Sequence, residues 1–467
     1  MRKSFFVLAA FLLASSTTFS QFRENNQHGL NVFETPKPEK EFKGIKTTIG
    51  GGFTQGFQAL SHTNNAPVRM VGTPAVDNNA LFRIRPGFVL ASANLELKTA
   101  LADGIALNME LYLASRHHNE TWVKGGFLQI DKLPFLKLDF VDNIMKYTTI
   151  KVGQMDVNYG DSHYRRSDGG NTIMNPFVEN YIVDAFATEV GVEANVNVNG
   201  FIGVLGVTNG LLNANVNVID STFDTSVTPR RLISAGKNNP SFIAKLGYDK
   251  NLTEDLRVRL TGSLYHNEGA VSNTLFAGDR AGSNYIGVIE FQAPSTSTFR
   301  NGRFGPGFSD KVTALASNLF VKFKGLESFT TLETASGRTR FETSGDRSMT
   351  QFATDLIYRF GPSENFWVGA RYNTVTSELF LASDLADVTA RPAGSATTAA
   401  TVTYKGQTKG MYEVSIDRLA FSAGWFITKN VMAKVEYVDQ KYTGFLHNDI
   451  RSGAKFDGIM AHAVIGF

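Results

Sequence analysis

Apolar and polar residues alternate along much of the chain in runs of about ten, the length a tilted β-strand needs to cross a membrane. Ile45, Thr47, Ile49, Gly51 and Phe53, then Phe57 and Ala59, share one face of the first run. In another, Ile105, Leu107, Met109, Leu111 and Leu113 face one way, with Asn108 and Glu110 on the opposite side. Val190, Val192, Ala194 and Val196 oppose Glu193, Asn195 and Asn197 in the same manner. Later runs carry Phe352, Leu356, Tyr358 and Phe360, then Phe366, Val368, Ala370 and Tyr372, then Val431, Ala433, Val435 and Tyr437. Successive strand residues point to opposite faces, so each run has an apolar face for lipid and a polar face for a watery interior.

The connectors alternate as well. Short ones rich in Asn, Asp, Gly and Lys lie near 100–104, 197–200, 249–255, 324–328, 361–365 and 428–430. Long polar ones lie near 61–80, 159–186, 209–240, 267–310, 376–410 and 442–454. Tight turns on one rim and extended loops on the other predict an all-β fold, a transmembrane antiparallel β-barrel with periplasmic turns and extracellular loops. Pairing the runs gives about 16 strands between Gly44 and Phe467, with 18 if the connector 133–145 and the stretch 284–291 hide further strands; either number leaves room for an aqueous channel.

The two ends fit this picture. Arg2 and Lys3 precede an apolar run from Phe5 to Ala14 and small residues to Ser20, so residues 1–20 read as a secretory signal peptide. Residues 21–43, with Pro36 and Pro38 among Lys and Glu, read as a flexible periplasmic segment, and 44–467 as the barrel. Ile459, Ala461, Ala463, Ile465 and the terminal Phe467 alternate with Met460, His462, Val464 and Gly466, which resembles the closing strand of outer-membrane proteins. The expected location is therefore the cell outer membrane, with its lipid as a partner.

Composition narrows the function. Forty-three glycines, 37 phenylalanines and 14 tyrosines suit a barrel, and no stretch beyond the signal is long and apolar enough for a transmembrane helix. Without Arg2 and Lys3 the chain has 44 basic and 43 acidic residues, a net +1 that argues against a nucleic-acid partner. There is no cysteine, no G-x-S-x-G, no H-E-x-x-H and no P-loop, so neither an enzyme, a metal site nor a cofactor is expected. His117 and His118 are adjacent and point apart on a strand, which suits a surface turn better than a metal. Gly50, Gly51 and Gly52 sit in an alternating run with no helix after them, so packing explains them better than phosphate binding.

One stretch carries more chemistry than its neighbours. "IKVGQMDVNYGDSHYRRSDGG", residues 150–170, leaves a strand and runs into Asp161, His163, Tyr164, Arg165, Arg166 and Asp168, with Glu179 and Asp184 beyond. Its alternation slips, Ile150 and Val152 against Met155, Val157 and Tyr159, which predicts a bulge near Gly153. From Ile150 to Asn180 the sequence resembles the trimeric outer-membrane porins, and "VGQ" with the following Asp and aromatic-Gly step resembles the phosphate-selective porins in particular. "NPFVENYIVDAF" is similar to the return limb of the porins' third loop.

That resemblance implies a homotrimer whose third extracellular loop, near 159–186, folds inside and constricts the pore. Passive diffusion of small polar or ionic solutes is the function it implies. Asp161, His163, Tyr164, Arg165, Arg166, Asp168 and Glu179 would then line the constriction. Acids beside the two arginines depart from the arginine-dense anion-selective members, and predict opposed charges setting a transverse field with mild ion preference. Arg83 and Arg85, two residues apart, would share a face and could add a basic ladder on the opposite wall.

A non-transport barrel is the alternative, a scaffold or subunit of a secretion or surface-assembly complex. Its long loops carry Phe223, Phe276, Phe291, Phe299, Phe304 and Phe308, which would form a protein-partner surface if exposed.

Overall fold

The alternating runs become the staves of a closed barrel. The computed structural model describes residues 23–34, 37, 42–71, 73, 75–114, 121–212, 222–224, 231–234, 238–291, 301–339, 342, 345–380 and 410–467. Residues 1–20, expected as a signal peptide, His117, His118, Phe299 and most of the loop 376–410 lie outside the described residues.

Sixteen strands close the barrel: β1 (Lys46–Thr63), β2 (Ser92–Ala102), β3 (Ile105–Ala114), β4 (Trp122–Ile130), β5 (Thr148–Asp156), β6 (Thr188–Val198), β7 (Phe201–Thr208) and β8 (Ser241–Asn251), then β9 (Leu256–Asn267), β10 (Lys311–Phe323), β11 (Leu326–Arg338), β12 (Arg347–Phe360), β13 (Phe366–Phe380), β14 (Met411–Thr428), β15 (Val431–Thr443) and β16 (Lys455–Gly466). Each pairs antiparallel with its chain neighbour, and β1 closes the ring on β16 with Gly52 opposite Gly466 and Phe57 opposite Ala461. Phe467 extends that seam, its N–H donating to the Gly51 carbonyl at 3.0 Å and its carbonyl accepting from the Gly51 N–H at 2.9 Å. A further two-residue strand, Gly87–Phe88, pads the edge of β1.

Of the two regions that could have hidden extra strands, the connector after β4 contains a short helix, α1 (Asp139–Met145). The stretch 284–291 is a folded loop with no strand; Phe291 makes an isolated bridge with Leu81, and Ile286 and Ile289 bond Gln58 and His62 on β1.

The apolar faces point outward as the alternation requires. Phe53, Leu205, Leu246, Leu315, Leu356 and Ile459 are all exposed, while Thr54, Lys245, Asn318, Asp355 and Met460 between or beside them are buried inside. Near the short-turn rim Phe201, Phe323, Tyr358, Phe360, Phe366, Trp425 and Phe467 are exposed and form the aromatic belt of an outer-membrane barrel, with Phe366 stacked on Trp425 at 5.4 Å.

The expected bulge near Gly153 is not there, because the ladders on both sides of β5 run through Gly153 without a shift. Gly153 has φ +141°, a conformation that favours glycine, and a Cβ there would lie 2.6 Å from the Gly126 carbonyl. The bulge falls one strand over, where Glu110 opposes Gly125 and Leu111 opposes Val123. Lys124 is the extra residue, and the bulge aims it into the lumen.

Candidate functional site: a half-filled lumen

Three segments enter the barrel and decide what space is left. The third loop on the long-loop rim, L3 (157–187), counting the short one between β3 and β4, leaves β5 and turns inward, so that Val157, Tyr159, Phe177, Val178, Ile182 and Val183 are buried. L3 has almost no regular structure of its own, and its backbone polar groups would be orphaned there without partners. The barrel wall supplies them. Lys434 on β15 donates to the carbonyls of Thr172, Asn175 and Phe177 at 2.7–2.8 Å. Arg371 on β13 and Arg418 on β14 donate to the Glu179 and Asn180 carbonyls, each at 2.6 Å. The N–H groups of Val178, Ile182 and Val183 are taken by Glu436, Asn373 and Gln351.

Two points pin the ends of L3. At its start, Asp161 is buried and accepts from Lys245 at 3.1 Å, from Arg259 at 2.8 and 2.9 Å, and from Thr261 at 2.6 Å. Across the lumen, Ser92 and Asn94 on β2 hold the carbonyls of Gly169 and Asp168, and Thr54 on β1 holds that of Gly170. Gly169 has φ +56°, and a Cβ on Gly170 would lie 2.4 Å from the Gly52 carbonyl, so backbone meets backbone at this seam. Packing thus accounts for both Gly52 and the glycine pair that ends the charged stretch.

The fifth loop on the same rim, L5 (268–291 and 301–310 described), enters beside L3. Leu275, Phe276, Tyr285, Val288, Ile289, Phe304 and Phe308 are buried and form one apolar cluster with Val178, Ile182 and Val183 of L3. The wall facing them is apolar too: Val312, Ala314 and Ala316 on β10, Ala335 on β11, Met349 on β12, Val375 on β13, Ile416 on β14, Val438 on β15 and Met460 on β16. This corrects the expectation of a polar lumen all round. It also corrects the idea of an exposed aromatic surface on L5, since Phe276, Phe304 and Phe308 are spent on loop-to-loop packing.

The third segment is the N-terminal one. Residues 23–34 are packed inside the short-turn end, in place of the flexible lead expected: Phe33 is buried against Phe320 and Tyr164, and Glu34 accepts from Arg259 at 2.5 and 2.8 Å. Asn31 donates to Glu327 at 2.7 Å, Asn25 to Glu96 at 2.7 Å, and Lys37 to the Asp131 carbonyl at 2.8 Å.

What remains open is a cavity of about 550 Å³ along the β2–β6 wall. It reaches from Lys146, Tyr147 and Asn197 at the short-turn rim to Lys124 and Asp156 near the long-loop ends of β4 and β5. Basic Arg23, Lys98, Lys124, Lys151 and Arg166 and acidic Glu34, Glu96, Glu110, Asp156 and Asp168 all line it. The signs are paired rather than segregated. Lys98 meets Glu96 at 2.8 Å, Lys151 meets Glu193 at 3.0 Å, and Lys124 meets Glu110 at 2.9 Å, Asp156 at 3.5 Å and Asp168 closer still. Opposed walls of charge, as the sequence suggested, are therefore not what this lumen contains.

The expected constriction residues divide accordingly. His163, Tyr164, Arg166 and Asp168 line the cavity. Asp161, Arg165 and Glu179 do not: Asp161 anchors L3 to β8 and β9, Arg165 bonds Asn31 and lies over Phe329 at 5.0 Å, and Glu179 ties L3 to L5 through Ser283, Asn284 and Arg303. Burial raises the Glu179 carboxyl, but Arg303 and Arg418 together hold it below its ordinary value. Arg83 and Arg85 are exposed in the first long loop, on no strand, and line neither wall of the cavity.

Several residues that do the work were not singled out by the sequence reading: Lys124, Lys245, Arg259, Arg371, Arg418, Lys434 and Glu436. A signal existed, since each is a charge on the face opposite an apolar strand face, as in "LRVRL" and "VMAKVEY".

His163 makes the site pH-sensitive. Burial, then Lys245, push its pKa well below the ordinary histidine value, so the folded loop favours the neutral ring. The stability this gives is complete above about pH 6.5, the unfolded value, and is lost as pH falls below it towards the folded pKa. Melting midpoints in detergent should therefore drop between pH 7 and pH 5, and His163→Gln should flatten that drop; an unchanged slope would remove His163 from the account.

In sequence the chain matches no described protein family and no curated protein. In structure it is similar to the anion-selective porin from Comamonas acidovorans, at 9% identity and TM-score 0.47, covering 91% of this chain and 100% of the other. The outer-membrane channel DcaP of Acinetobacter baumannii is similar at 12% identity and TM-score 0.45, covering 92% and 99%. Outer-membrane expressed OmpT of Vibrio cholerae is similar at 10% identity and TM-score 0.46, covering 92% and 99%. The likeness is one of barrel architecture.

Proposed function

We propose that this protein is an outer-membrane channel through which small polar and ionic solutes diffuse along the β2–β6 wall, past the inner loop L3. The observation that carries this reading is the cavity of about 550 Å³, lined by charges of both signs and extending along most of that wall. Paired charges at short range neutralise one another, so the channel passes solutes of either sign with weak preference and has no dedicated phosphate site. Filling of the β10–β16 side by L3 and L5 makes it a narrow channel for a barrel of this size. Assembly as a homotrimer fits the short wall, where β2–β7 have 8–11 residues against 12–18 in β9–β16.

Reconstitution of the protein in planar bilayers tests the reading. Stepwise currents, small for sixteen strands and appearing in threes, are expected. Reproducible silence would instead favour a non-transport barrel, which the packed half of the lumen would equally suit.

Lys124 should set what preference there is. Its ammonium group sits among the carboxylates of Glu110, Asp156 and Asp168, whose oxygens lie within 4.8 Å of one another. Lys124→Met leaves three carboxylates facing the cavity, so the reversal potential in a salt gradient should move towards cations and calcium should reduce the current. No shift would place the solute route elsewhere.

A further inference from the structure

Behind L3, between it and the β11–β13 wall, lies a second, much smaller cavity of about 20 Å³. It has room for one water-sized or monatomic species. Three guanidinium groups line it, those of Arg165, Arg166 and Arg371, with the carboxylates of Asp184 and Asp355.

The unused hydrogen-bonding groups at this cavity are donors. Arg165 Nε and Nη2 are buried and have no hydrogen-bond partner among the described residues; Arg166 Nη1 has only the ion pair with Asp168 at 3.5 Å, and the Tyr181 hydroxyl is buried beside Thr331. The carboxylates are already engaged: Asp355 accepts from Arg371 at 2.6 and 2.8 Å, and Asp184 accepts from Arg166 at 2.6 Å and Asn180 at 3.2 Å and is ion-paired with Arg303 at 2.9 Å.

Arg165 is the group least compensated. It is 4% exposed, and its Nη1 lies 3.7 Å from Glu327, which is shared with Arg359 at 2.8 Å. Burial lowers its pKa by more than Glu327 restores. A buried guanidinium remains charged, so its field calls for a negative partner.

We propose that this cavity is a binding site for one small monovalent anion of halide size, held by Arg165 and Tyr181. The unpartnered groups at this space are guanidinium donors, which select an anion over a cation. A water would satisfy the same donors, and the bromide experiment below separates the two. Sulfate, phosphate and carboxylates are too large for about 20 Å³. The anion would fasten L3 near the β11 wall at Arg165, beside the ion pair that Arg165 makes with Glu327.

Two measurements on the full chain in detergent test this. Crystals grown in bromide should show one anomalous peak within hydrogen-bond distance of Arg165 Nε or Nη2 and the Tyr181 hydroxyl. The melting midpoint should rise saturably when gluconate is replaced by chloride at constant ionic strength. Tyr181→Phe should raise the half-saturating chloride concentration several-fold, and Arg165→Met should abolish both peak and chloride dependence. A well-ordered water with no bromide at this position, or equal midpoints in the two salts, would overturn the proposal. If Arg165→Met fails to fold, the bromide peak in the unaltered protein still decides.

Discussion

Removal of residues 21–42, with residue 20 joined directly to Lys43, should raise the single-channel conductance several-fold. Arg23, Phe33, Glu34 and Lys37 all line the main cavity at its short-turn end, and each occupies lumen volume that water would otherwise fill. The barrel does not depend on them for closure, because every strand from β1 to β16 has its two neighbours without this segment. The deletion does strip Glu34 from Arg259, but Arg259 keeps Asp161 and Asp249. Heat resistance of the barrel should consequently persist while current grows. Unchanged conductance in a correctly folded variant would mean that the narrowest point lies at L3, between Tyr164 and Asp168, and not at the N-terminal segment.

Asp161→Ala should loosen L3 more than any other single change in the loop. The side chain is 1% exposed and faces Lys245 and Arg259, both fully buried. Deleting one partner of such a buried ion network costs about 3–5 kcal/mol, since the remaining charges stay buried without compensation. Here the loss falls on the attachment of L3 rather than on the strand ladders, so we expect new protease cleavage within 157–187, noisier currents and a lower melting midpoint. Asp161→Asn keeps the shape and one or two hydrogen bonds, and should fall between the two.

Burial alone would raise the Asp161 carboxyl, but Lys245 and Arg259 win and hold it well below the ordinary carboxylate range. A depressed pKa stabilises the folded state at and above that range and gives way only below it. The unaltered loop should thus keep this anchor down to about pH 4, the ordinary value for Asp. If Asp161→Ala leaves proteolysis and melting unchanged, the anchor is elsewhere.

The charged stretch shows where sequence reading succeeds and where it stops. Its position after the fifth strand marks it as the third loop on the long-loop rim, and its polar residues stand out against the strands around them. That is local information. Which of its charges meet solute is not local, because Asp161 and Arg166 differ only in what faces them: Lys245 and Arg259 in one case, the open cavity and Asp184 in the other. Arg83 and Arg85 failed for a related reason, since spacing by two implies a shared face only within a strand, and their segment is a loop.

The filled half of the lumen was hidden for a different reason. In β10 both parities are apolar over much of the strand, Leu315 and Leu319 outward against Val312, Ala314, Ala316 and Phe320 inward, so alternation cannot reveal which face meets lipid and which meets another part of the chain.

By itself, the sequence determined the closed barrel, a strand number of sixteen or eighteen, the order of short turns and long loops, and a closing strand that ends at Phe467. All of these follow from period-two alternation and from connector length, which neighbouring residues carry. Only the tertiary structure decided that L3, L5 and the N-terminal segment share the lumen, that Lys124 is aimed inward by a bulge, and that charges of both signs are paired along one remaining wall. Those outcomes depend on side chains hundreds of residues apart satisfying one another's buried backbone groups and charges, as Lys434 does for Thr172, and no local pattern records such partners.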